Sequence, residues 1–164
     1  MKNRVVIIGM PGSGKTTVGK ILGEELSLEF VDMDDYIEKT TGKTISQLFE
    51  KGEEYFRDIE TQACSDLIKK DDILISTGGG VIKRPENMKI LKKDSIIIFI
   101  DRPVEKIFGD VDISGRPLLK DGKEKLLKLY EERYDLYKLY ADEIIVNDTD
   151  LEDLLCKFKK VIND

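Results

Sequence analysis

Apolar residues along this chain follow two rhythms: unbroken β-branched runs, and longer stretches in which they recur every three or four positions. Val5-Val6-Ile7-Ile8 and Ile96-Ile97-Ile98-Phe99-Ile100 belong to the first kind. Neither run alternates with polar residues, which predicts strands covered on both faces. The second is expected at the centre of its sheet. Strands are predicted at 4–9, 28–31, 73–77, 96–101 and 143–147, and helical spacing at 15–26, 33–41, 44–50, 53–70, 83–92, 103–109, 122–140 and 150–162. Strands alternating with helices predict an α/β fold in three layers, with a parallel sheet covered by helices on both sides. Within 122–140, Leu126, Tyr130, Tyr134 and Tyr137 form a stripe expected to pack inward. Between helices, the polar stretch 109–122 is punctuated by Gly109, Gly115, Pro117 and Gly122 and carries Arg116. That composition reads as a mobile flap.

Position by position, the first strand pattern runs into Gly9-Met10-Pro11-Gly12-Ser13-Gly14-Lys15-Thr16, a glycine, four free positions, then Gly-Lys-Thr. This is the phosphate-cradling loop pattern, and it is followed by Val18, Ile21, Leu22 and Leu26 at helical spacing. Gly12 and Gly14 allow backbone angles closed to residues with a Cβ, so successive N–H groups can face phosphate oxygens at a helix N-terminus. Lys15 is placed to reach the β- and γ-phosphates and Thr16 to offer its hydroxyl to Mg²⁺.

Ligands of open parallel sheets collect beyond the carboxyl ends of the strands. After the second strand pattern come Asp32 and Asp34, two positions apart and so projecting to one side of an extended backbone. One carboxylate there can hold a Mg²⁺ water while the other orients or deprotonates a hydroxyl; the alternative is an ordinary acidic helix cap. After the third comes Thr77-Gly78-Gly79-Gly80, where amides can approach a carboxylate or phosphate closely. Arg57 and Arg133 lie in helical segments, each either a solvated charge or a bidentate reader of a carboxylate. Arg116 in the flap is either an exposed loop arginine or a cation delivered on closure.

Composition narrows the classes. With 164 residues the chain is expected to be one domain, 1–164. Its 27 Lys and Arg against 33 Asp and Glu, without a basic cluster, offer no broad face for nucleic acid or an anionic membrane. No apolar run reaches membrane-spanning length, and Met1-Lys2-Asn3-Arg4 leads into a strand pattern, so the cytoplasm is the expected location. Cys64 and Cys156 are expected as buried or partly buried thiols without a disulfide. Histidine is absent, which leaves carboxylates, Lys, Arg, backbone amides and a hard cation to carry any catalysis.

Taken in order, Gly9–Thr17, Asp32-Met33-Asp34, Phe56-Arg57-Asp58-Ile59-Glu60, Gly78-Gly79-Gly80, Arg116-Pro117-Leu118-Leu119 and Arg133 before Leu136-Tyr137 resemble the shikimate kinase family over nearly the whole chain. The resemblance implies a nucleoside monophosphate kinase-like fold, a five-stranded parallel sheet of order 2-3-1-4-5, and transfer of the γ-phosphoryl group of ATP to the 3-hydroxyl of shikimate. It implies ATP on Gly12, Ser13, Gly14, Lys15, Thr16, Thr17 and Arg116. Shikimate would rest on Asp34, Arg57, Gly79, Gly80 and Arg133, and Mg²⁺ on Thr16 and Asp32. Catalysis would fall to Lys15, Asp34 and Arg116, in a monomer. The acceptor-binding helices would span about 33–70, with a lid at about 109–122. One departure stands out: where the family often has an arginine over adenine, about seven residues before Arg116, this chain has Gly109-Asp110. The loop at Asn147-Asp148-Thr149 would border the adenine.

Two rival readings follow from the same residues. One is another small-molecule kinase of this fold, for gluconate or a nucleoside monophosphate. The other is a non-catalytic nucleotide-binding module or GTP switch, which would want an Asn-Lys-x-Asp motif that the sequence lacks.

Overall fold

In the computed structural model, residues 1–113 and 120–164 are described, and side chains are described outside 110–121. Strand β1 is Arg4–Ile8, β2 Glu29–Asp32, β3 Ile73–Ser76, β4 Ile96–Asp101 and β5 Glu143–Val146. All pair in parallel, in the order β2-β3-β1-β4-β5. The centre is therefore β1, with β4 interior but one place off, since β5 closes the edge beside it. Both strands are sealed on both faces, and for this reason their sequence patterns look alike.

Period-two alternation along the strands feeds two cores. Val6, Ile8, Ile97 and Phe99 point into a layer with helices α2 (Met33–Thr41), α4 (Glu53–Leu67), α5 (Pro85–Leu91) and α7 (Lys120–Tyr140). Val5, Ile7, Ile96, Ile98 and Ile100 point into the opposite layer with α1 (Lys15–Leu26) and α8 (Leu151–Asn163). Helix α1 lies close on the sheet because Gly19 has no Cβ: one there would come within 2.5 Å of the Phe30 ring. The tyrosine stripe packs inward as expected, with Tyr137 stacked on Phe99 at a ring separation of 5.0 Å.

Helices α3 (Ile45–Glu50) and α6 (Val104–Ile113) complete the described elements, with a short 3-10 turn at Val81–Lys83. The flap expectation is corrected at both ends, because α6 runs past Gly109 and α7 begins before Gly122. A Cβ at Gly109 would meet nothing within 4 Å, so this glycine faces outward and breaks nothing. The rest of the expected flap, with Arg116, lies outside the described residues. Cys64 is buried as expected, while Cys156 is exposed because it sits on the outer face of α8; both are free thiols. Among the described residues no helix is long and apolar enough to cross a membrane.

Candidate active site

The carboxyl ends of β1, β2, β3 and β4 meet at one cleft of about 440 Å³, a size suited to small ligands. It is lined by the loop residues Pro11, Gly12, Gly14, Lys15, Thr16 and Thr17, by Asp32 and Asp34, by Ser76 to Gly79, and by Arg102.

The loop takes the shape its glycines permit. Gly12 and Gly14 have φ of 79° and 104°, and Gly14 caps α1 with no side chain to block its open N–H groups. Lys15 is 8% exposed, and its ammonium donates to the carbonyls of Gly9 and Met10, each at 2.8 Å. Burial lowers its pKa to about 8, against the opposing pull of Asp34 and Asp32. The Ser13 hydroxyl is fully buried in the same loop and has no partner among the described residues.

Asp32 is the helix cap weighed for it, and it also faces the phosphate loop. One carboxylate oxygen accepts the Asp35 N–H at 3.1 Å and caps α2, and the other accepts the Thr16 hydroxyl at 2.9 Å. Asp34 reaches the same cleft from the first turn of α2, so a helix turn and not an extended backbone brings it there. Burial and the neighbouring Asp32 raise the Asp34 pKa, which makes it a better proton acceptor than a free carboxylate. The hydroxyl of Thr16 and these carboxylates are hard oxygen donors that fit Mg²⁺. Among the described residues no cluster of three or more His, Cys, Asp or Glu forms a closed metal cage.

At the far end, the glycine strand-end is pressed between two guanidiniums. A Cβ on Gly80 would come 2.5 Å from Arg57 Nη2, and one on Gly79 would come 3.4 Å from Arg133 Nη1. Arg57 is buried at 6% exposure, pairs with Glu60 at 2.8 Å and lies over the Phe49 and Phe56 rings. Its Nε is buried and has no partner among the described residues. Glu60 is 1% exposed, and burial raises its pKa while Arg57 pulls the other way. Neither arginine is thus an ordinary solvated helix charge. Arg116 is outside the described residues.

Sequence reasoning missed two contributors, and it placed a third, Asn147, only in a loop bordering the adenine. Arg102 follows β4 and donates to the Gly12 carbonyl at 3.0 Å, a placement the strand-end rule applied to β4 would have flagged. Glu60 lies one helical turn from Arg57, a spacing that itself signals pairing. Asn147, after β5, donates to the Ser13 carbonyl at 2.9 Å across 134 residues, which no local pattern announces.

Residues 11–163 match the family model described as "Shikimate kinase". A shikimate kinase of Clostridium beijerinckii is 60% identical over 164 residues, which is 100% of this chain and 97% of that protein. The chain belongs to the shikimate kinase family. A solved shikimate kinase from Acinetobacter baumannii, described as in complex with shikimate, is similar with a TM-score of 0.89 and 34% identity over 98% of this chain and 93% of that one. A gluconokinase from Sinorhizobium meliloti has a TM-score of 0.66 over 99% of this chain and 94% of its own, at 12% identity. That second likeness is one of fold alone, so the rival acceptor finds no support in it. The sheet order implied by the shikimate kinase resemblance is the one observed.

Proposed function

We propose that this protein catalyses transfer of the γ-phosphoryl group of ATP to the 3-hydroxyl of shikimate, giving shikimate 3-phosphate and ADP. The observation that carries the acceptor assignment is the Gly79-Gly80 backbone held between the Arg57 and Arg133 guanidiniums, across the cleft from Lys15. Two planar forks and an amide suit a carboxylate, and Asp34 between them and the loop suits ring hydroxyls. A nucleotide acceptor would also bring a base, for which no aromatic or amide reader lines this end of the cleft among the described residues.

In this reading the triphosphate lies along Gly12, Ser13, Gly14, Lys15, Thr16 and Thr17, and Lys15 leaves the Gly9 and Met10 carbonyls for the β- and γ-oxygens. Asp34 orients the 3-hydroxyl. As the new bond from that oxygen to the γ-phosphorus forms, the bond to the ADP bridging oxygen breaks, and the hydroxyl proton passes to Asp34. The transition state is loose, with charge spread over equatorial oxygens, so Lys15 and Arg116 matter most as cations. Thr16 and Asp32 would hold Mg²⁺, which when bound neutralises phosphate charge. Closure of a lid around Arg116 would exclude water from the transferring group. The same proposal has the enzyme working as a cytoplasmic monomer, since one chain supplies every group named.

A coupled ADP-release assay with Mg²⁺ and ATP, run on shikimate, gluconate and nucleoside monophosphates, tests the assignment. Turnover is expected with shikimate alone. Turnover confined to another acceptor overturns it.

A further inference from the structure

Tyr137 sits on α7 one turn beyond Arg133 and is 0% exposed. Its ring is clamped against Phe99, and its hydroxyl hydrogen-bonds the carbonyl of Gly79. Burial pushes the phenol up to about 12, while the adjoining Arg133 and Arg57 guanidiniums pull the other way. At neutral pH the hydroxyl therefore keeps its proton and is the donor in that bond.

The bonded carbonyl belongs to the peptide between Gly79 and Gly80. No peptide bond is cis among the described residues, and in a trans peptide the N–H points opposite the carbonyl. Holding the Gly79 oxygen thus turns the Gly80 N–H away from the Tyr137 ring. No main-chain carbonyl among the described residues accepts from that N–H. Two adjacent glycines have little intrinsic preference for this orientation. Donation to the carbonyl also polarises the amide and strengthens its N–H as a donor.

We propose that Tyr137 is a positioning residue for the acceptor's carboxylate: through its hydroxyl it fixes the Gly79-Gly80 peptide, beside Arg133, in the orientation that presents the Gly80 amide. This rests on the shikimate reading above. A stripe residue that looks like packing is then also a determinant of acceptor affinity.

Tyr137→Phe removes the hydroxyl and keeps the ring and its stack. The Michaelis constant for shikimate is expected to rise about fivefold, the scale of one lost hydrogen bond, while kcat and the constant for ATP stay within about twofold. With shikimate's carboxamide as acceptor the rise should shrink, because the interaction tuned by Tyr137 is with the carboxylate. An unchanged shikimate constant overturns the proposal, and so does a parallel fall in kcat with both constants raised, which marks a structural role. Should the variant fold poorly, the Gly80 amide in ¹⁵N-labelled wild type decides: it must shift on adding shikimate, and an unmoved resonance overturns the proposal. Wild-type inactivity toward shikimate would instead overturn the acceptor reading itself, and this inference with it.

Discussion

Lys15 carries its ammonium into a pocket where water is scarce, and the Gly9 and Met10 carbonyls replace only part of the lost hydration. That deficit holds its pKa near 8 in the free protein. A bound triphosphate supplies anionic oxygens at the same place, which favours the charged amine and returns its pKa toward or above the ordinary 10.5. Between these two values, nucleotide binding must take up a proton. Calorimetry of ATP binding at pH 9, in buffers of different ionisation enthalpy, should show uptake of about 0.9 proton, since an amine of pKa near 8 is about one-tenth charged there. ATP affinity should fall as pH rises above 8. Absence of uptake at pH 9 would mean that the amine is not desolvated in this way. The sign for folding runs opposite to that for binding. From pH 8 to 10.5 the unfolded lysine holds a proton that the native one has shed, so this group's contribution makes the fold more stable as pH rises.

The element that cradles phosphate is itself braced from behind. Asn147 closes β5, its N–H bonded to the Asp101 carbonyl at 2.7 Å and its side chain donating to the Ser13 carbonyl at 2.9 Å. Arg102 at the end of β4 holds the next carbonyl, that of Gly12, at 3.0 Å. Holding these two carbonyls fixes the backbone of the loop between Gly12 and Gly14. Asn147→Ala removes one brace at a half-buried position, and the Michaelis constant for ATP is expected to rise roughly three- to tenfold. The constant for shikimate should hold, because the groups proposed for it lie on α2, α4, α7 and the end of β3; a change there instead would refute the bracing role. The brace also shows where sequence legibility ended. Strands β1 and β4 could be read because burial on both faces leaves only β-branched and aromatic residues, and the phosphate loop because its chemistry is contiguous. Contacts such as Asn147 with Ser13 depend on two distant strand ends arriving together, which periodicity does not encode. Gly109 and Gly122 misled for a related reason: a glycine inside a helix costs it only about 1 kcal/mol, which neighbouring turns can offset. Asp32 looked ambiguous because one of its oxygens caps α2 while the other faces the loop and accepts the Thr16 hydroxyl.

At the scale of the molecule, a chain of net charge −6 gathers Lys15, Arg57, Arg102 and Arg133 around one end of its sheet. The acidic exterior discourages adventitious polyanions while the interior site selects small ones. Every group assigned to the acceptor is tied to the central sheet: Asp34 through β2 and α2, Gly79 and Gly80 through β3, and Arg57 and Arg133 through helices packed on the same core layer. A ligand held by all of them binds only when that layer is assembled, so its binding energy adds to global stability by mass action. Shikimate at about 100 times its dissociation constant should contribute about 2.7 kcal/mol. For a chain of this length that corresponds to a rise in thermal midpoint of roughly 5–11 °C. Gluconate at the same concentration has a carboxylate but lacks the rigid ring that sets the distance from carboxylate to hydroxyl, so it should leave the midpoint within about 1 °C of the free protein. Thermal scans with each acid, with no nucleotide present, make the measurement independent of turnover. An equal shift by both acids would show that the guanidinium pair reads charge alone, and the geometric basis for choosing shikimate would be lost.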